Sequence, residues 1–303
     1  MKILVFGAGG QVGREVCRAA WPPSCKLLPL DRAAADITKP AAVGALFTRE
    51  RPDLVINLAA HTAVDKAESE AEAAWAVNCA GAAHIASLCG ETTALIHLST
   101  DYVFDGGKQG PYCEDDAVNP LGVYGRSKEA GERAVRGETA RHIILRTAWI
   151  YAAHGRNFVK TMLRVGAERP VLRVVDDQQG CPTAAGDIAT ALVVIAQAIE
   201  LGGAEWGTFH FAGTGSASWY GFAEEIIEQA TRFGAWPAGS RPRVEAITTA
   251  EYPTPARRPM NSVLDCGKIA ATYGISAPRW QTSLAAVLQE ALENNPGASA
   301  PIR

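Results

Sequence analysis

Thr100, Tyr124 and Lys128 have types and spacing that suit proton transfer beside a hydride donor. Thr100 follows the apolar run Ala94-Leu95-Ile96-His97-Leu98, which reads as a buried strand, so its hydroxyl stands at a strand end. Tyr124 and Lys128 form a Tyr-x-x-x-Lys pair entering a helical pattern. Residues four apart share a helix face, so the phenol and the ammonium can point into one cleft. A phenol ordinarily titrates near about 10, too high for easy exchange at neutrality. A neighbouring ammonium favours the phenolate and is expected to lower that value. Such spacing recurs by chance in many helices, so the surrounding elements decide what it means.

Those elements begin at the N-terminus. Lys2 to Phe6 is a short apolar run that ends in Gly7-Ala8-Gly9-Gly10-Gln11-Val12-Gly13. A continuous apolar run, then glycines, then a helical pattern is the opening of a βαβ unit with a buried parallel strand. Gly7, Gly10 and Gly13 fall where a tight turn, a close phosphate approach and helix packing each exclude a side chain. The helix that follows offers free N–H groups to a pyrophosphate. A second run, Lys26 to Leu30, closes on Asp31, an acid placed to accept from ribose hydroxyls. Arg32 follows and could neutralise a 2′-phosphate, so NADPH and NADH both stay open. Asp53 to Ala60 reads as another buried strand. Its small residues Ala59 and Ala60 would let a flat cofactor lie against the backbone before His61 and Thr62. His61 reads as structural or cofactor-lining, because the Tyr/Lys pair already supplies an acid and a base. A helical pattern over Ala71 to Cys89 precedes the strand that leads to Thr100.

Beyond Tyr151 the pattern loosens. Gly155 to Val165 suggests a helix, Val171 to Val175 a strand, Asp187 to Ile199 a helix, and Thr208 to Ala212 a strand. Ser218 opens a further helix, and Tyr252 to Pro259 is held extended by its prolines. Arg257 and Arg258 are candidate partners for a phosphate-bearing ligand, since guanidinium groups pair well with phosphate. From Asn294 onward the chain reads as a polar tail.

The 303 residues suffice for one large or two moderate domains. A net charge of −3 gives no support for a nucleic-acid footprint. No apolar run reaches the roughly 18 residues of a membrane span, and no cleavable leader precedes the first strand. The seven cysteines are scattered and never spaced Cys-x-x-Cys, so disulfide frameworks and zinc knuckles are not expected and a reducing cytoplasm fits.

Longer segments carry a resemblance. Phe6 to Gly13 (FGAGGQVG), Asn57 to Ser69 (NLAAHTAVDKAES), Ser99 to Gly106 (STDYVFDG) and Asn119 to Lys128 (NPLGVYGRSK) are similar to the extended short-chain dehydrogenase/reductases. Within that group the chain resembles the dTDP-4-dehydrorhamnose reductase family. Further matches are Arg146 to Tyr151, Asn157 to Leu163, Val174 to Thr183 and Arg257 to Asp265.

The resemblance implies an α/β fold, a Rossmann-type doubly wound parallel sheet with a smaller C-terminal α/β substrate domain. Residues 1–152 would bind NADPH or NADH, and residues 153–303 would mainly bind substrate, with segments near 184–215 returning to the first domain. It implies reduction of the C4 keto group of dTDP-4-dehydro-β-L-rhamnose, the last step of dTDP-rhamnose biosynthesis. Thr100, Tyr124 and Lys128 match the catalytic set, and Gly10, Gln11 and Val12 match phosphate-loop contacts. Asp31 matches the ribose acid, Asp36 and Ile37 the adenine contacts, and Ala60, His61 and Thr62 the nicotinamide-ribose segment. Thr100 and Asp101 match the sugar-contacting pair, and Trp149 an aromatic beside the substrate. Some family members pair through acids around a shared metal ion. Here Glu15 is present, but the middle acidic position falls near Ala185-Gly186-Asp187 with no glutamate. A metal-bridged dimer is therefore not expected, and a homodimer stays open. Two alternatives share the resemblance. One is a nucleotide-sugar epimerase or dehydratase, and the other a non-catalytic subunit like the regulatory subunit of methionine adenosyltransferase.

Overall fold

The opening apolar run becomes strand β1 (Lys2–Phe6), buried on both faces. Ile3 and Val5 face one side of a sheet while Leu4 and Phe6 face the other, the period-2 alternation of a strand covered twice. The structure is a computed structural model describing residues 1–237 and 239–294. The tail expected beyond Asn294 lies outside the described residues.

After β1 come α1 (Gln11–Arg18), β2 (Lys26–Leu30), α2 (Pro40–Glu50), β3 (Leu54–Asn57), α3 (Val64–Ser69), α4 (Ala71–Trp75), a π-helical turn (Ala76–Gly81) and α5 (Ala82–Cys89). Then follow β4 (Ala94–Thr100), α6 (Val123–Glu138), β5 (His142–Thr147), β6 (Ile150–Tyr151), α7 (Phe158–Glu168), β7 (Val171–Val175), β8 (Gln179–Gly180) and β9 (Thr183–Ala184). The chain continues through α8 (Ala185–Glu200), β10 (Gly207–His210), β11 (Ala217–Ser218), α9 (Trp219–Arg232), β12 (Arg243–Ile247), α10 (Gly267–Tyr273) and α11 (Trp280–Glu293).

Six strands form one parallel sheet in the order β10-β5-β4-β3-β1-β2. The chain winds to one side through β2 and to the other through β3, so β1 and β3 flank the point where strand order reverses. Crevices at such points bind ligands beyond the strands' carboxyl ends. Helices α1 and α8 cover one face through Val12, Val16, Ile188, Leu192 and Ile195, and α2 and α5 cover the other through Val43, Leu46, Phe47 and Ile85. A separate core joins α7, α9 and α11 around Phe222, Ile226, Trp280 and Leu284, beside the parallel pair β7–β12. Among the described residues no helix is long and apolar enough to cross a membrane.

Boundaries differ where tertiary packing decides. The expected strand from Asp53 stops at Asn57, because the chain to Thr62 turns across the sheet end. The helix expected over 71–89 is interrupted by the π turn, where Asn78 leaves the regular spacing to bond elsewhere. The turn is packed tightly: a Cβ on Gly131 of α6 would lie 2.1 Å from Asn78 O.

Candidate active site

The loop after β1 lies directly against the chain leaving β3. Gly7 has φ +79, and a Cβ there would lie 2.7 Å from Ala59 N. A Cβ on Gly13 would lie 2.4 Å from Gly7 O, so the first turn of α1 seats on the loop only as glycine. Gly10 begins α1 without any side-chain cap, leaving first-turn N–H groups for an anion. These features fit the diphosphate of a dinucleotide. Gln11 also faces the second half of the chain, since its Oε1 accepts from Asn157 Nδ2 at 2.7 Å. Asp31 is exposed, and its Oδ1 accepts from Ala34 N–H. Arg32 reaches back to Asp36 at 3.6 Å, and Asp36 in turn accepts from Thr38. Ile37 is buried and packs beneath Gly81, so its side chain serves the core.

The chain from Ala59 to Thr62 is pinned by two asparagines. Asn57 Oδ1 accepts from Ala59 N, while Asn78 accepts from His61 N at 2.8 Å and donates to His61 O at 3.2 Å. The Asn78 amide also donates to Ser127 of α6. His61 Nε2 lies 3.2 Å from Glu70, and Thr62 is exposed.

Helix α6 carries Tyr124, Lys128 and Glu132 at successive four-residue steps, all turned toward β4 and β5. Its first turn is fixed by Glu68 of α3, which accepts from Val123 N at 2.8 Å. Thr100 ends β4. Its one hydroxyl hydrogen goes to Asp101 Oδ1 at 3.0 Å or, alternatively, to the Tyr124 phenolate, which it then favours. Burial nevertheless dominates and pushes the Tyr124 phenol up to about 12. This corrects the expectation that Lys128 lowers it. The Lys128 amine group is committed elsewhere, donating to Leu98 O at 2.7 Å with His97 Nε2 at 3.4 Å. Burial brings Lys128 itself down to about 8, against an upward pull from Glu132. Asp101 is buried, and desolvation raises its carboxyl to about 6, partly offset by neighbouring hydroxyls.

Glu132 lies behind Lys128 with no exposed surface, held by Arg146 at 2.7 Å and by the Ser99 hydroxyl at 2.6 Å. Trp149, half-buried at φ +46, stacks on Trp219 with ring centroids 3.6 Å apart. Gly180 lets it sit there, since a Cβ at 180 would lie 2.3 Å from the indole. Arg257 is exposed. Arg258 is paired with Asp65 of α3 at 2.9 Å and with Thr254, so its guanidinium bridges the two halves rather than standing free. Asn57, Glu68, His97 and Glu132 were not singled out by the sequence. Glu15 lies 3.3 Å from His154 Nδ1 and 3.7 Å from Arg18.

A parallel sheet with a glycine-lined dinucleotide cradle at its switch point and a Thr, Tyr and Lys at one strand end defines a short-chain dehydrogenase/reductase of the extended type. Residues 1–293 match the model of the RmlD substrate binding domain family. A dTDP-4-dehydrorhamnose reductase of Sinorhizobium fredii is 44% identical over 286 residues, covering 93% of this chain and 95% of its own. A solved dTDP-4-dehydrorhamnose reductase of Clostridium acetobutylicum superposes with TM-score 0.87 at 38% identity, over 95% of this chain and 99% of that one. A second, from Bacillus anthracis and in complex with NADP, gives TM-score 0.87 at 33% identity over the same shares. The chain belongs to the dTDP-4-dehydrorhamnose reductase family.

Proposed function

We propose that the chain reduces the C4 keto group of dTDP-4-dehydro-β-L-rhamnose to dTDP-L-rhamnose, using NADPH or NADH. The observation that carries this reading is the meeting of Thr100, Tyr124 and Lys128 at the carboxyl end of β4, in a chain whose relatives share the name over nearly its whole length. The bound nicotinamide cofactor supplies the hydride. Gly10, Gln11 and Val12, on the loop that Gly7 and Gly13 shape, would hold its diphosphate, Asp31 and Arg32 would flank its adenosine ribose, and Ala59 to Thr62 would line its nicotinamide end. Residues 1–152 are the cofactor half, and residues 153–303 mainly serve the sugar nucleotide.

Tyr124 donates its proton to the carbonyl oxygen as negative charge builds there, and Thr100 adds a hydrogen bond to the same oxygen. A phenol held near 12 is fully protonated at neutrality and is therefore a donor in waiting. Lys128 orients the cofactor ribose and returns a proton to the phenolate. Asp101 accepts from a sugar hydroxyl, Trp149 packs on the sugar, and Arg257, exposed and without an ion-pair partner among the described residues, offers a guanidinium to the diphosphate. Arg258 contributes through its pair with Asp65.

The test is oxidation of each reduced nicotinamide in turn with freshly made dTDP-4-dehydro-β-L-rhamnose, with the sugar product identified. Turnover that releases oxidised cofactor supports the reading. A purified protein that holds NAD stoichiometrically and releases none would favour an epimerase or dehydratase. Absence of oxidation together with a copurifying partner would favour a regulatory subunit.

A further inference from the structure

Asn57 on β3 faces His97 on β4 in register, and both side chains are 1% exposed. The chain fixes which way the Asn57 amide points, because Oδ1 accepts from Ala59 N at 3.1 Å. Its Nδ2 is therefore the group 3.1 Å from His97 Nδ1, and it donates. A ring nitrogen that accepts carries no hydrogen, so the neutral imidazole keeps its hydrogen on Nε2. Nε2 lies 3.4 Å from Lys128 Nζ, whose own N–H is given to Leu98 O. When Lys128 is an ammonium, two donors face each other, whereas an amine would accept from Nε2–H. Moving the ring hydrogen to Nδ1 alone sets it against the Asn57 Nδ2 donor, and turning the amide as well only transfers the mismatch to Ala59 N–H.

We propose that His97 is a positioning residue for the reduction: locked by Asn57 with its hydrogen on Nε2, it disfavours the Lys128 ammonium and readies that side chain to return a proton to Tyr124. The step is balanced, since the ammonium becomes an amine as the phenolate becomes a phenol. It rests on the reading of Tyr124 as proton donor.

The other charges nearby are few. Glu132, one turn on in α6, pulls Lys128 toward the ammonium, and Arg146 of β5 largely neutralises it. Asp101, following β4, acts on Tyr124. Burial, and then the charge of Lys128, hold His97 well below its ordinary range, so the ring stays neutral while Lys128 titrates.

Two measurements on the full chain test this. Long-range proton–nitrogen NMR of histidine-labelled protein should show His97 with bare Nδ1 and protonated Nε2, unchanged from about pH 5 to about pH 9. In turnover, His97→Gln offers Lys128 an acceptor oxygen. The alkaline limb of its kcat profile should move up by about one pH unit, with lower kcat beneath it. His97→Asn, which keeps the Asn57 bond but lacks the reach, should move it less. An Nδ1–H signal overturns the proposal, even if neither variant folds. So do variant profiles that superimpose on that of the unmodified enzyme. If Lys128→Met keeps the original alkaline limb while the NMR signal is as expected, it is the proton-donor reading that fails.

Discussion

Glu68 reaches from α3 to accept the backbone N–H of Val123, the residue before Tyr124. A carboxylate there meets an otherwise orphan donor and the positive end of the α6 dipole, and so fixes the turn that aims the phenol. The fit is close, since a Cβ on Gly122 would lie 2.6 Å from Glu68 Oε1. Glu68→Ala should cost about 1 kcal/mol of stability, comparable to a lost cap. It should also lower kcat about tenfold through misplacement of Tyr124. Thermal unfolding and steady-state kinetics check both, and an unchanged kcat would remove Glu68 from the positioning of the helix.

Tyr124→Phe should keep nicotinamide binding and lose roughly 10²–10⁴ in kcat. The phenol is protonated across the neutral range, so the variant should also lose the alkaline fall in rate that deprotonation of the Tyr124–Lys128 pair produces. Cofactor binding by fluorescence and single-turnover rates separate the two effects. Turnover near the original rate would take Tyr124 out of the mechanism.

Lys128→Met should stabilise the fold while lowering kcat by about 10²-fold or more. The unfolded chain holds the lysine proton up to its ordinary value of 10.5, and the folded chain releases it near about 8. Between these values the unfolded state binds more protons, so stability rises with pH across that window. Below it, burial of the ammonium costs on the order of 3 kcal/mol, less what the Leu98 hydrogen bond returns. The variant should therefore exceed the original protein in Tm at neutral pH, with the gap closing above about pH 8. A lower Tm for the variant at neutral pH would contradict this.

What could be read from the sequence and what could not divide along a physical line. The glycine loop, the β-branched runs and Tyr124–Lys128 are local patterns whose period states the conformation. Asn57 and His97 look like exposed interruptions of apolar strands, and only the β3–β4 register turns them toward each other and toward Lys128. Glu68 meets Val123 across 55 positions and Asp65 meets Arg258 across 193, separations no periodicity encodes. The fall in the Tyr124 pKa was expected from a charge four residues away. The rise comes from burial by neighbours distant in sequence.

Glu132 should be among the most sensitive positions away from the chemistry. Burial pushes its carboxyl up, but Arg146, Ser99 and Arg136 outweigh that and hold it below the ordinary carboxylate range. Its contribution is present above the unfolded carboxylate value of about 4.5 and is lost as pH falls through the lower folded value. Glu132→Ala leaves the Arg146 guanidinium buried and unpaired, costing about 3–5 kcal/mol, whereas Glu132→Leu with Arg146→Met should cost less. Urea unfolding of both variants decides between these outcomes.

Gly180→Ala tests the aromatic wall. The new methyl would lie 2.3 Å from the Trp149 indole, which can move only by disturbing its stack with Trp219 and its contact with Phe222. The backbone at Trp149 already sits in the left-handed region, so little slack remains there. Relief must come from displacing the indole, at a cost of about 1–3 kcal/mol typical of overpacking. If Trp149 packs on the sugar nucleotide, KM for that substrate should rise about tenfold while KM for the nicotinamide stays put, because the glycine loop is untouched. A parallel change in tryptophan fluorescence would locate the disturbance at the stacked pair. Equal shifts in both KM values would mean the substitution loosens the fold at large, and an unchanged KM for the sugar nucleotide would place Trp149 outside its binding site.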